Sequence, residues 1–135
     1  MTPGESAFLA EARTATLATI SPDGRPRLVP ICHVLIDDVV WTPIDEKPKS
    51  VADPMALARV RDIGERPEVA VLVDRWSEDW SELAWVRLEG RATVVAAEPE
   101  VVAALRSKYP QYVAHDLESR PMIRVTIDRV SSWGI

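Results

Sequence analysis

The chain has 135 residues, 47% hydrophobic and 27% charged, which suits one compact domain and excludes a disordered chain. Its formal net charge is −5, so binding to a nucleic-acid duplex, which needs a basic surplus, is not expected. No run approaches a membrane span, the opening MTPGESAF lacks a charged-then-apolar leader, and the single Cys32 can build neither an internal disulfide nor a multi-cysteine metal site. The expected location is therefore cytoplasmic.

In chain order, Thr2-Pro3-Gly4-Glu5 predicts a helix start, with Thr as cap, Pro at the first helical position and Glu three residues after the cap. The helix should run to about Ala12. Thr14 to Ile20 is short and β-branched, which predicts a strand. Ser21-Pro22-Asp23-Gly24 has the residue types of a tight turn. Leu28 to Ile36 is apolar on both faces and predicts one strand buried on both sides, with Pro30 forcing a bulge or a missing ladder bond. Asp37-Asp38 is a hairpin turn, and Val39 to Thr42 returns as the third strand.

PIDEKPKSVADP reads as a loop dense in proline and charge. Asp53-Pro54 should cap a helix with Ala56, Val60 and Ile63 as its apolar stripe and with Arg59 and Arg61 off it. Val69 to Val73 is a further strand. From Leu83 to Val95 small apolar residues alternate with Trp85, Arg87, Glu89, Arg91 and Thr93, which predicts a strand with a core face and a polar face. Pro99 starts a helix through about Lys108, and Met122 to Val130 is the last strand, with Ile123, Val125 and Ile127 facing inward. The expectation is a single domain over residues 1–135, mainly β with minor α. Its six antiparallel strands should form a small closed or half-closed barrel that hides their edges and leaves no interior room for a large ligand.

Two groups of side chains could carry chemistry. Lys47, Lys49, Arg59 and Arg61 lie within fifteen positions of an acidic chain. They read either as a phosphate cradle, Lys as point charge and Arg as bidentate fork, or as an ordinary solvated face paired with Asp45, Glu46, Asp53 and Asp62. Trp76, Trp80 and Trp85, interleaved with Arg75 and Arg87, read either as a contact surface (a dimer interface or a stacking wall for a flat ring) or as indoles lying over their own barrel. His33 and Cys32 sit in an apolar strand and fit a hydrogen-bonded core histidine and a buried thiol. No nucleophilic triad, phosphate loop or dinucleotide fingerprint is present, so no catalytic residue is assigned and any reaction would rely on a cofactor.

The runs ATLATISPDGRPRLVPICHVLIDD, DEKPKS, RVRDIGERPEVAVLVDRW and EDWSELAWVRLEGRA resemble the pyridoxamine 5′-phosphate oxidase-like superfamily of flavin- and deazaflavin-binding split β-barrels. They are most similar to its branch of F420-dependent oxidoreductases. TLATISPDGRP is shared across the superfamily, whereas the KPK loop and DRWSEDWSELAWVRLEGRA are narrower. The resemblance implies a split barrel of Greek-key type, a homodimer with two cofactor sites at its interface, and a hydride transfer between reduced coenzyme F420 and a small organic substrate. It places the ring near Pro30, Ile31, Cys32, Thr42, Pro43 and Ile44. It assigns the phosphate end to Lys47, Lys49, Arg59 and Arg61, and has the partner subunit close the site with the strand of Trp85 and Arg87. Family members that bind flavin mononucleotide (FMN) show an Arg-rich third strand ending in Lys. Here that strand reads VVWTPID, which argues against pyridoxamine phosphate oxidase activity and suits a cofactor with a longer acidic tail. An FMN-dependent relative, or a dimer that binds a flavin-like ligand without catalysis, are the alternative expectations.

Overall fold

The computed structural model describes residues 1–45 and 53–135. Lys47 and Lys49 lie outside the described residues. Helix α1 (Pro3–Glu11) starts with the expected reciprocal cap: Glu5 N donates to Thr2 Oγ1 at 3.1 Å and Thr2 N donates to Glu5 Oε2 at 2.8 Å. Strands β1 (Ala15–Ile20) and β2 (Pro26–Ile31) form a hairpin across the Ser21–Gly24 turn, which Gly24 closes by donating to Ser21 O at 2.8 Å. Strands β3 (Val34–Ile36) and β4 (Val39–Pro43) form a second hairpin. Its two turn residues have φ of 50° at Asp37 and 59° at Asp38, the left-handed pair that matches the twist of a tight hairpin.

The expected single strand over Leu28–Ile36 is therefore two strands, broken at Cys32-His33, and the sheet has seven strands rather than six. The expectation of burial on both faces also fails for β2. It is an edge strand that pairs only with β1, and Leu28 is 68% exposed. Pro30 sits on that edge opposite Thr16, where a missing ladder donor is tolerated.

A 3₁₀ turn at Pro54–Ala56, capped by Asp53, precedes helix α2 (Ala58–Glu65). Leu57 is extended and interrupts the expected continuous helix, so Ala56 is exposed while Val60 and Ile63 are buried. Strands β5 (Glu68–Arg75) and β6 (Ala84–Ala96) follow, then helix α3 (Pro99–Lys108), a 3₁₀ segment at Pro110–Ala114 and strand β7 (Pro121–Trp133). On β6, residues Ala84 to Ala92 alternate between buried and more exposed positions as expected.

The strand order is β2-β1-β5-β6-β7-β4-β3, all antiparallel. The two edge strands are consecutive in the chain and only Cys32-His33 separates them, so the sheet curls until its edges share one corner. That geometry is consistent with a split barrel. A bulge at Glu89/Gly90 helps β6 and β7 bend. A Cβ at Gly90 would stand 2.0 Å from Thr126 O, so only glycine admits this close approach of two backbones.

Two cores result. The inner core joins Leu17, Val40, Ile44, Val71, Val86 and Leu88 with residues of α1 and α2. The second lies under α3 and joins Trp41, Val102, Leu105, Tyr109, Tyr112 and Met122. Strand β4 and the residue after it serve both, which is why Val40, Trp41, Thr42 and Ile44 are all buried. No helix among the described residues is long and apolar enough to cross a membrane.

Candidate functional site

The exit of β4 is tied to distant parts of the chain by several hydrogen bonds. Arg120 donates from Nε to Ile44 O at 2.7 Å and from its terminal nitrogen to Asp45 O at 3.0 Å. The Tyr112 hydroxyl donates to Asp45 Oδ2 at 2.5 Å. Burial, and then the bond to Asp45, push the Tyr112 phenol far above its ordinary value, so it stays protonated. Cys32, at the sheet corner, contributes to the same upward push through a hydrogen bond to that phenol.

Arg59 reaches this place from α2. It is half-buried, and burial lowers its guanidinium below the ordinary value while Asp45 acts in the opposite direction. The orientation of α2 comes from Asp62, a carboxylate 1% exposed. Asp62 Oδ2 accepts from Thr19 Oγ1 at 2.8 Å and from Arg27 Nε at 2.7 Å, so one acid bolts the helix to β1 and β2. Arg61 is exposed and has no ion-pair partner among the described residues.

The structure thus brings Cys32, Thr42, Pro43, Ile44 and Arg59 into one neighbourhood. Ile31, Thr42, Pro43 and Ile44 are buried. Pro30 is exposed on the edge strand. Trp85 and Arg87 lie elsewhere. Thr42 pairs with Ile123, which pairs with Val94, whereas Trp85 pairs with Trp133 at the opposite end of β6. Nine residues separate Val94 from Trp85, about 30 Å of strand. Arg87 lies over the Trp85 ring, 5.7 Å from its centroid, on the more exposed face of β6. That face also presents Leu28, Pro30 and Leu72, and the exposed Trp76, Trp80 and Trp133 stand around its far end.

His33 is the expected core histidine. It is fully buried, its Nε2 bonds to Leu9 O at 2.8 Å, and burial lowers its pKa to about 4. No cluster of metal-ligating side chains occurs among the described residues. Sequence reasoning missed Tyr112, Arg120 and the orienting role of Asp62, and treated Asp45 only as a local charge partner. Their one visible signal is polar residues of loop and helix whose partners lie far away in the chain.

The profile of the pyridoxamine 5′-phosphate oxidase family matches residues 1–134. No curated protein matches the sequence. Among solved structures, a conserved hypothetical protein from Mycobacterium tuberculosis is 26% identical at a TM-score of 0.77, covering 98% of this chain and 84% of its own. An F420 reductase is 19% identical at a TM-score of 0.71, covering 97% and 98%. The haem storage protein HutZ from Vibrio cholerae is 15% identical at a TM-score of 0.72, covering 97% and 92%. The last two likenesses are of fold alone.

Proposed function

Because the chain belongs to the pyridoxamine 5′-phosphate oxidase family, we propose that it is an oxidoreductase that works on a small organic substrate as a homodimer, with coenzyme F420 as its redox cofactor and FMN as the alternative. The observation that carries this reading is Arg59, a half-buried guanidinium that α2 presents beside the exit of β4. A cation in partial burial favours an anionic group and makes strong, directional bonds to phosphate. Arg59 and Arg61 would hold the acidic part of the cofactor, helped by Lys47 and Lys49 outside the described residues. The bound cofactor would supply hydride.

The chain's own contribution is positional. Asp62 fixes the turn of α2 and hence the direction of Arg59. Arg120 and Tyr112 hold the backbone and side chain at Ile44 and Asp45, so the strand end facing the ligand is rigid. A preformed site of this kind loses little entropy on binding and excludes water around the reacting groups. Trp85 and Arg87 are too far along β6 to reach the Arg59 region of their own subunit. A twofold partner would bring a second copy of that strand over the site. The more exposed sheet face with Leu28, Leu72 and Trp85 gives such a partner apolar surface to cover.

A second reading, a dimer that binds the ligand without catalysis, is favoured by one observation. Tyr112 and Asp45, the polar pair at the exit of β4, are each 3% exposed and bonded to one another. The test is reconstitution of the purified protein with each cofactor, followed by desalting. A single visible band from deazaflavin, retained by the wild type and weakened roughly ten- to hundredfold in affinity by Arg59→Ala, is the expected result, since a charge-assisted contact contributes about 1.5–3 kcal/mol. Retention of neither cofactor overturns the proposal. Retention without turnover of any reducible substrate selects the second reading.

A further inference from the structure

We propose that Arg13, Lys108 and the ring of Tyr109 form a second anion site, at the corner between β2 and β3, that takes a carboxylate or phosphoryl group.

Three chain segments converge there. Arg13 follows α1, Lys108 and Tyr109 end α3, and Cys32-His33 is the sheet corner. The Tyr109 hydroxyl donates to Arg13 O at 2.9 Å and accepts from His33 N at 3.1 Å. The Lys108 ammonium donates to His33 O at 2.9 Å. The Arg13 backbone is thereby tied to Tyr109, and the Lys108 side chain to His33.

Both cations point at one aromatic ring. The Arg13 guanidinium is 4.6 Å from the Tyr109 centroid and the Lys108 ammonium 5.4 Å. Like charges converging on a ring repel, and the attraction of the ring for each is weak at a partly exposed site. Among the described residues neither cation has an ion-pair partner, in a chain with 21 acids against 16 bases. Elsewhere Arg27, Arg91, Arg106 and Arg129 do have one. Burial, and next the Arg13 charge, hold the Lys108 amine down to about 8. An oxyanion between the two would relieve that repulsion. Lys108 has two N–H donors left after the bond to His33, and no hydrogen bond occupies the Arg13 guanidinium among the described residues. Arg13 is exposed and Lys108 half-buried, so an anion can enter from solvent.

The site needs no redox cofactor. It lies beside Cys32. On the functional reading above, and resting on it, an acidic group of the substrate is the natural occupant.

The experiment is a nuclear magnetic resonance titration of the intact protein with inorganic phosphate and, separately, acetate, following the Tyr109 ring and the Arg13 Nε–H. Saturable shifts at both, weakened roughly tenfold in Arg13→Gln and in Lys108→Gln, are expected. Arg13→Gln keeps every bond made by the Arg13 backbone, so it answers the question even if Lys108→Gln fails to fold. Arg59→Ala should leave these shifts intact while cofactor retention falls. Unshifted Tyr109 and Arg13 signals, or affinities unchanged in Arg13→Gln, overturn the site and leave the cofactor reading standing. Shifts at Arg13 with no cofactor retained by the wild type do the reverse.

Discussion

Tyr112 and Asp45 share one hydrogen bond of 2.5 Å between two side chains that are each 3% exposed. The bond joins the 3₁₀ segment after α3 to the residue that follows Ile44, so the second core and the exit of β4 move together. Tyr112→Phe keeps the ring packing and removes the donor. It should cost about 1.5–3 kcal/mol, the usual loss for a bond to a charged group. Urea unfolding measures this, and an unchanged midpoint would mean that the bond is dispensable.

Asp62→Ala removes the acceptor for both Thr19 and Arg27. The Arg27 side chain is 45% exposed and can return to water, but the Thr19 hydroxyl is buried and cannot. The expected loss is about 2 kcal/mol from the stranded hydroxyl and the vanished charge-assisted bonds. Thr19→Val together with Asp62→Leu should recover part of it. A double variant no better than Asp62→Ala would show that α2 needs the acid for more than this pairing.

His33 makes stability depend on pH. Its folded pKa is about 4 against 6.5 when unfolded, because burial penalises the imidazolium. Between those values the unfolded chain binds the extra proton. Stability is therefore undiminished above pH 6.5 and declines as pH falls from 6.5 to about 4, by about 3 kcal/mol in all. His33→Gln should flatten this window relative to wild type in denaturant titrations at pH 7 and pH 4.5. Parallel curves for the two proteins would exclude His33 as the source.

Gly90→Ala places a methyl group against Thr126 O at a distance no real contact adopts. The backbones of β6 and β7 must part, at a cost of about 1–3 kcal/mol or more. Thermal unfolding should show a clearly lowered midpoint. Gly64→Ala is the control, because a Cβ there meets nothing within 4 Å and helix propensity favours alanine.

Local chemistry made much of the fold readable in the sequence. The Thr2-Pro3-Glu5 cap, the Asp37-Asp38 turn and the alternation along β6 each act within a few residues, so the sequence shows them directly. The break at Cys32-His33 is different. Nothing in LVPICHVLI marks it, because the bonds that bend the chain come from Tyr109 and Lys108, over seventy positions away. The exposure of Leu28 is hidden for a similar reason, since apolar residues on both faces read alike in a central and an edge strand. At the site, Arg59 stood out as a cation in an acidic chain. Asp62 did not, because a buried carboxylate on an amphipathic helix looks like any solvent-facing acid until its partners are known.

The sheet corner has a kinetic consequence. The amide hydrogen of His33 is given to the phenol of Tyr109, which caps the end of α3, and not to a neighbouring strand. Its exchange with deuterium is thus gated by departure of that helix end alone, while the amides of β1 and β5 wait for the sheet to open. One proton near the chain's first quarter keeps time for a helix that lies beyond its midpoint.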